Sequence, residues 1–320
     1  MRLWKTVLSK YLIFRQKEGT IHMKKNIREE KSKLTNTNTV FAKLCLIPSF
    51  LGVSVFFIIP FIIIICYSFL DNPINKEFVF FKNYEILFKN NAFLTAAKNT
   101  LLLSAVAVPL AVVLSLGLAS LLDSKIPCKS LFRTFFLCPM MVPVASVVLI
   151  WQVVFHYHGT LNAVLGEWFG AVPVDWMKSS KCMIVVVLLF LWKNLGYNMI
   201  LFLAALNNIP KDLLEVAELE GAGRLYRLFH IKLRYLSPTI LFVTILSLIN
   251  SFKLFREVYL LTGDYPFEDL YLLQHFMNNT FRSLDYQKLS AAAMIMSLVM
   301  VVIIGAMFIV ENKFGGDVEE

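Results

Sequence analysis

Six long apolar stretches constrain this chain more than anything else in it: Leu44 to Phe69, Leu101 to Leu122, Phe135 to Phe155, Cys182 to Leu206, Leu236 to Leu261, and Leu289 to Val310. Each reaches the ~20 residues that a helix needs to cross the hydrocarbon layer of a bilayer. They predict an all-α, polytopic membrane protein with about six transmembrane helices. Composition agrees, since 58% of the 320 residues are hydrophobic and only 17% charged, against about 25% charged in a soluble domain. Pro48, Pro60, Pro109, Pro139 and Pro143 fall within the stretches, so kinks are expected where neighbours re-satisfy the freed carbonyls.

Sidedness follows from the basic residues, because positive connections stay in the cytoplasm. Residues 1–43 carry eleven Lys or Arg, Asp123 to Thr134 three, Asn207 to Tyr235 five, and the end of the chain Lys313. The alternate connections hold eight: Lys76, Lys82, Lys89, Lys98, Lys178, Lys181, Arg282 and Lys288. The expected organisation is a basic cytoplasmic tail over 1–43, a six-helix membrane domain over 44–310 with a cytoplasmic loop over 207–235, and a cytoplasmic tail over 311–320. The first tail has no small-residue cleavage site after a short apolar core and reads as retained rather than as a signal peptide; Met23 is a second plausible start. The net charge of +9 is spread between apolar stretches, which argues against nucleic-acid binding. Cys45, Cys66, Cys128, Cys138 and Cys182 show no metal-ligand spacing and read as buried small hydrophobes.

The 207–235 loop is long for a helix-to-helix link, and such loops often carry function. Leu213, Leu214, Ala217 and Leu219 alternate with Asp212, Glu215, Glu218 and Glu220 as in a short amphipathic helix. Gly221 and Gly223 are free to take positive φ and end it, after which Leu225, Leu228 and Phe229 with Arg224 and Arg227 start a second helix. The result is a compact knob, which an interfacial hairpin lying on the inner leaflet would also produce.

This segment, IPKDLLEVAELEGAGRLYRLFHIKLRYLSPTI from Ile209, resembles the EAA loop of permease subunits of ATP-binding cassette importers. Glu215, Val216 and Ala217 match its opening triplet, Glu220, Gly221 and Ala222 its central Asp-Gly-Ala, and Ile231 and Leu233 its close; Val216 stands where the family has Ala, and Arg234 where it has Pro. Phe78 to Thr100, Leu191 to Ala217, Phe255 to Pro266 and Asp285 to Ala293 resemble further segments of the malto-oligosaccharide-like carbohydrate group, in the same order. The resemblance implies a second homologous permease subunit, a cytoplasmic ATPase dimer that binds ATP and Mg, and an extracytoplasmic solute-binding protein, in a prokaryotic plasma membrane with both termini cytoplasmic. It also implies that Glu215, Ala217, Glu220, Gly221 and Ala222 couple the chain to the ATPase. No GxxxxGK[ST], HExxH or GxSxG motif occurs, so no catalytic site, metal site or cofactor is expected on this chain itself.

A translocation path needs polar groups inside the membrane, where they are costly and face the bundle interior. Asn194, Tyr197 and Asn198 share one face of the fourth stretch, and Gly196 leaves room for a ligand or a neighbouring helix; Ser247, Asn250 and Ser251 share a face of the fifth. The resemblance places Gly196, Ser247, Asn250 and Ser251 on sugar-lining positions. Asn and Ser suit sugar hydroxyls, and Phe252 a sugar's apolar face. The same residue types also glue helices together. Asn194 and Asn250 are the preferred ligand contacts. Lys253, Arg256 and Glu257 read as a structural cluster within reach of the interface, and His156 and His158 as solvated loop residues. Lys193 is then the lone midspan cation, which favours a neutral sugar over glycerol phosphate. A lone secondary transporter or channel would show inverted repeats, and none is convincing here; a membrane enzyme would need a convergent set of His, Asp or Glu.

Overall fold

The computed structural model describes residues 45–315 apart from 73, 74, 76 and 125. The 1–43 tail, Lys76 and residues 316–320 therefore lie outside the described residues. The chain divides into two units, Met1–Ile63 and Ile64–Glu320. Most of helix α1 (Cys45–Ser68) makes up the described part of the first. Within it Ser54–Ile58 is a π-helical turn, with Ile59 N–H bonded to the Ser54 carbonyl. That wider turn directly precedes Pro60, which has no N–H to give.

The second unit contains α2 (Lys82–Phe88), α3 (Asn91–Asp123), α4 (Lys129–Met141), α5 (Val144–Val154), α6 (Thr160–Phe169), α7 (Cys182–Asn207) and α8 (Lys211–Leu219). A helix α9 follows, built from Arg224–Tyr226, a π-helical stretch Arg227–Lys232 and Leu233–Tyr235. Then come α10 (Ser237–Lys253), α11 (Phe255–Thr262), α12 (Leu273–Arg282) and α13 (Tyr286–Gly315). Among the described residues the only extended pairing is an isolated bridge between Leu70 and Phe78.

Among the described residues five helices are long and apolar enough to cross a membrane: α1, α3, α7, α10 with α11 taken together, and α13. The kink expected in the third apolar stretch is a full break, with α4 and α5 meeting at a bend of 98°. Pro143 accounts for the break, because its ring disfavours helical geometry in the residue before it, and Val142 is extended at φ −79°, ψ 129°. The helix also begins earlier than the apolar stretch, at Lys129, so most of the expected Asp123–Thr134 connection is helical. Pro109 and Pro139 sit inside continuous helices.

α3 is the central post, packed along α7 and beside α10. Leu103, Ala107, Val108 and Ala111 of α3 meet Val186 and Phe190 of α7 in one buried cluster, where the alanines allow close helix approach. At the other end of α3, Val112, Ala119 and Leu122 pack with Phe202, Leu203 and Leu206. α2, α12 and α13 close on the start of α3 through Leu87, Phe93, Phe276, Ala291 and Ala292. Polar ties fix both ends of the post. Asn99 Nδ2 donates to the Glu268 carbonyl at 2.7 Å and Leu273 N–H donates to Thr100 Oγ1 at 2.8 Å; at the far end Asp123 Oδ2 accepts from Lys232 Nζ of α9 at 2.6 Å. The cysteines correct another expectation: only Cys182 is buried, and the other four are exposed on the chain's own surface. An apolar neighbourhood in the sequence places a thiol on an outer surface as readily as in the core.

Candidate functional site

α7 and α10 run antiparallel, and their polar residues meet as rungs. Asn198 Nδ2 donates to Ser247 Oγ at 2.9 Å, both residues wholly buried. Next, Asn250 Nδ2 donates to Asn194 Oδ1 at 2.9 Å while Asn194 Nδ2 donates to its own helix at the Phe190 carbonyl. Farther along, Lys193 Nζ pairs with Glu257 Oε1 of α11. Ser251 turns aside from this series and bonds Ser104 of α3 at 2.9 Å. Gly196 faces α4, where an added Cβ would stand 1.8 Å from the Phe136 carbonyl oxygen. Of the two occupants expected beside Gly196, the neighbouring helix is the one found.

A cavity of about 900 Å³ opens beside the second and third rungs. Lys193, Asn194 and Tyr197 of α7 line one side, and Asn250, Lys253, Arg256 and Glu257 another. The α4–α5 bend supplies an apolar wall from Met140 to Val144, and Gln274 of α12 completes the lining. Of the seven residues expected to form a path, Asn194, Tyr197 and Asn250 are on the cavity; Gly196, Asn198, Ser247 and Ser251 are taken up in helix contacts. The sequence reading held a kink at Pro143 and a structural role for the charged cluster, but it did not bring the two together at one cavity. Lys193, Lys253, Arg256 and Glu257 are the only charged residues in the six apolar stretches, and all four line this cavity.

The 207–235 knob forms much as expected. α8 ends in a left-handed turn: Gly221 has φ +83°, its N–H donates to the Glu218 carbonyl at 3.1 Å, and Ala222 N–H reaches back to the Ala217 carbonyl at 2.9 Å. This double closure satisfies the last carbonyls of the helix and requires one residue with positive φ. Gly221 supplies it; Gly223 keeps negative φ, contrary to expectation. Arg227 Nη1 bonds Glu218 Oε2 at 2.6 Å and pins α9 to α8. Glu215 and Glu220 are exposed, as are Val216, Leu219, Leu225 and Phe229, so the knob carries an open apolar face with acids at its edge. His156 and His158 are exposed, and no cluster of metal-ligand side chains occurs among the described residues.

Residues 111–315 match the sequence profile of the binding-protein-dependent transport system inner membrane component. The chain belongs to this family. Both the whole cavity lining and the knob lie within the matched segment, so the features described above belong to a transport permease. The chain is 30% identical over 264 residues to the sulfoquinovosyl glycerol transport system permease protein SmoG of Agrobacterium fabrum, a match covering 80% of this chain and 85% of that one. It is 33% identical to the arabinooligosaccharides transport system permease protein AraP of Halalkalibacterium halodurans over 189 residues, 58% of this chain and 59% of the other. In three dimensions it resembles a chain of a bacterial alginate ABC transporter crystallised in complex with an alginate pentasaccharide-bound periplasmic protein, with a TM-score of 0.74. That match covers 85% of this permease and 93% of its counterpart at 20% identity, and establishes a shared fold.

Proposed function

We propose that this permease is one half of the pore of an ATP-binding cassette importer in a prokaryotic plasma membrane, passing a sugar or oligosaccharide delivered by an extracytoplasmic solute-binding protein. The observation that carries the reading is the cavity itself. Asn194, Tyr197 and Asn250 line it between two long apolar helices, and amide and phenol groups at such depth suit sugar hydroxyls. A second homologous subunit would close its open side. The names of the two relatives, one for a sulfonated sugar glycoside and one for arabinooligosaccharides, support a carbohydrate cargo.

The knob is the docking element for a cytoplasmic ATPase dimer, which holds the ATP and Mg. Its exposed apolar face suits the groove-binding mode of an amphipathic helix, and Glu215, exposed at its side, is the charged anchor. Ala217, Glu220, Gly221 and Ala222 shape the turn that presents it. The excess of Lys and Arg in the tail and in the 207–235 loop supports cytoplasmic termini. Movement of the ATPases would shift the knob and, through Lys232 and Asp123, the end of α3, a rigid-body route between inward-open and outward-open states.

The test is reconstitution with the second permease subunit, the ATPase and the binding protein. Glu215→Ala is expected to lower binding-protein-stimulated ATP hydrolysis by about tenfold, as for loss of an interface anchor. Gly221→Ala forces a side chain into left-handed geometry at a cost of about 1–2 kcal/mol and should act in the same direction. Full stimulation in both variants would refute the coupling role.

A further inference from the structure

We infer that the cavity takes a cargo bearing an acid group, a carboxylate, phosphate or sulfonate on a polyhydroxylated frame, and that Lys253 and Arg256 hold that group. This rests on the importer reading and adds the charge of what is carried. A charged side chain at membrane depth costs ~3 kcal/mol on insertion scales and is kept where it faces a polar interior or pathway. Here every charge of the apolar stretches converges on one cavity, and cations outnumber carboxylates there by three to one.

The single carboxylate does not cancel them. Glu257 is only 4% exposed; Oε1 is taken by Lys193, and Oε2 is enclosed in protein without a partner. Glu257 therefore neutralises Lys193 and presents no free oxygen to the cavity. Lys253 and Arg256 are exposed on the cavity wall, and among the described residues neither has a hydrogen-bond or ion-pair partner. They flank Leu254, where α10 gives way to α11, one turn beyond Asn250. A sugar acid lying along this wall meets amides with its hydroxyls and cations with its oxyanion, and a guanidinium matches a carboxylate or phosphate in a two-pronged bond. This reverses the expectation of a neutral cargo, which rested on Lys193 being the lone midspan cation; Lys193 is the one that is already paired.

The experiment uses the assembled transporter, this chain with its second permease and ATPase, in lipid nanodiscs. Saturation-transfer NMR compares glucose, glucuronate and glucose 6-phosphate at equal concentration. At least one acid should bind about tenfold better than glucose, the size of one lost charge-assisted bond, and fall to the glucose level in the Lys253→Gln/Arg256→Gln variant. Arg256→Lys should keep part of the preference, and the stronger acid tells carboxylate from phosphate recognition. Equal binding of all three probes, preference for glucose, or no binding by the wild type overturns the proposal. So does loss of the second subunit during purification of the double variant, since the cations would then serve the subunit contact. ATP hydrolysis stimulated by added solute-binding protein is measured on the same samples: intact stimulation without acid preference refutes the charge assignment alone, whereas absent stimulation in the wild type refutes the importer reading.

Discussion

The two ends of the α7–α10 contact use the same kinds of side chain to opposite purposes. At one end Asn198 and Ser247 are wholly buried and bonded to each other, with Gly196 pressed against the Phe136 backbone on the same helix. A turn or two away, Asn194, Asn250 and the Lys193–Glu257 pair form the wall of a large cavity. Polar residues in a membrane helix are thus glue where the neighbours close around them and lining where a bent neighbour stands off. The α4–α5 break decides which: α4 seals against Gly196, and the turn at Val142 and Pro143 opens the space beside Asn194.

The sharpest way to break this contrast is Lys193→Met. It strands the Glu257 carboxylate in protein, and loss of one partner of a buried pair costs about 3–5 kcal/mol. Thermal unfolding in detergent should show a large fall, mostly recovered in Lys193→Met/Glu257→Leu; a fall below about 1 kcal/mol would mean that the pair is effectively solvated. Gly196→Ala comes next, because its Cβ must push the Phe136 carbonyl away, an overpacking cost of about 1–3 kcal/mol; reduced yield and melting temperature, with no rescue by added sugar, would mark it as a packing position. The smallest effects separate the amides. Asn198→Ala should destabilise by about 0.6–1.7 kcal/mol, the range for hydrogen bonds between membrane helices. Asn250→Ala should leave melting nearly unchanged while lowering transport, and equal stability losses in the two would erase the distinction between glue and lining.

Much of the fold was legible because an apolar stretch of membrane length has one economical solution. The expected Cys182 to Leu206 and the observed Cys182–Asn207 differ by one residue, and the first and last stretches also matched single helices. Hydropathy has no sense of direction, however, so it counted the third stretch as one span, and Pro143 signalled a kink without its angle, which is 98°. Local chemistry was legible at Gly221, where an amphipathic run had to end in a left-handed residue, but not at Gly223, since that closure needs only one. For the site, the sequence grouped polar residues on faces of the fourth and fifth stretches, and the structure brings those faces together. It could not divide them between cavity and contact, because residue type and spacing are identical in the two roles and only the course of α4 and α5 tells them apart. It read Lys253, Arg256 and Glu257 by their distance from midspan, whereas the structure places all three on the cavity wall.

α3 is 33 residues long, about 50 Å at helical rise, whereas the hydrocarbon layer is about 30 Å thick. It therefore overshoots the membrane, and each overhang is fastened, one to the Glu268–Leu273 segment and the other to Lys232 of α9. A helix hardly shortens under load, so a push at either fastening arrives at the other as displacement instead of being absorbed along the way. α3 thus joins the two aqueous faces as a stiff rod, and α7, along which it packs, carries one wall of the cavity.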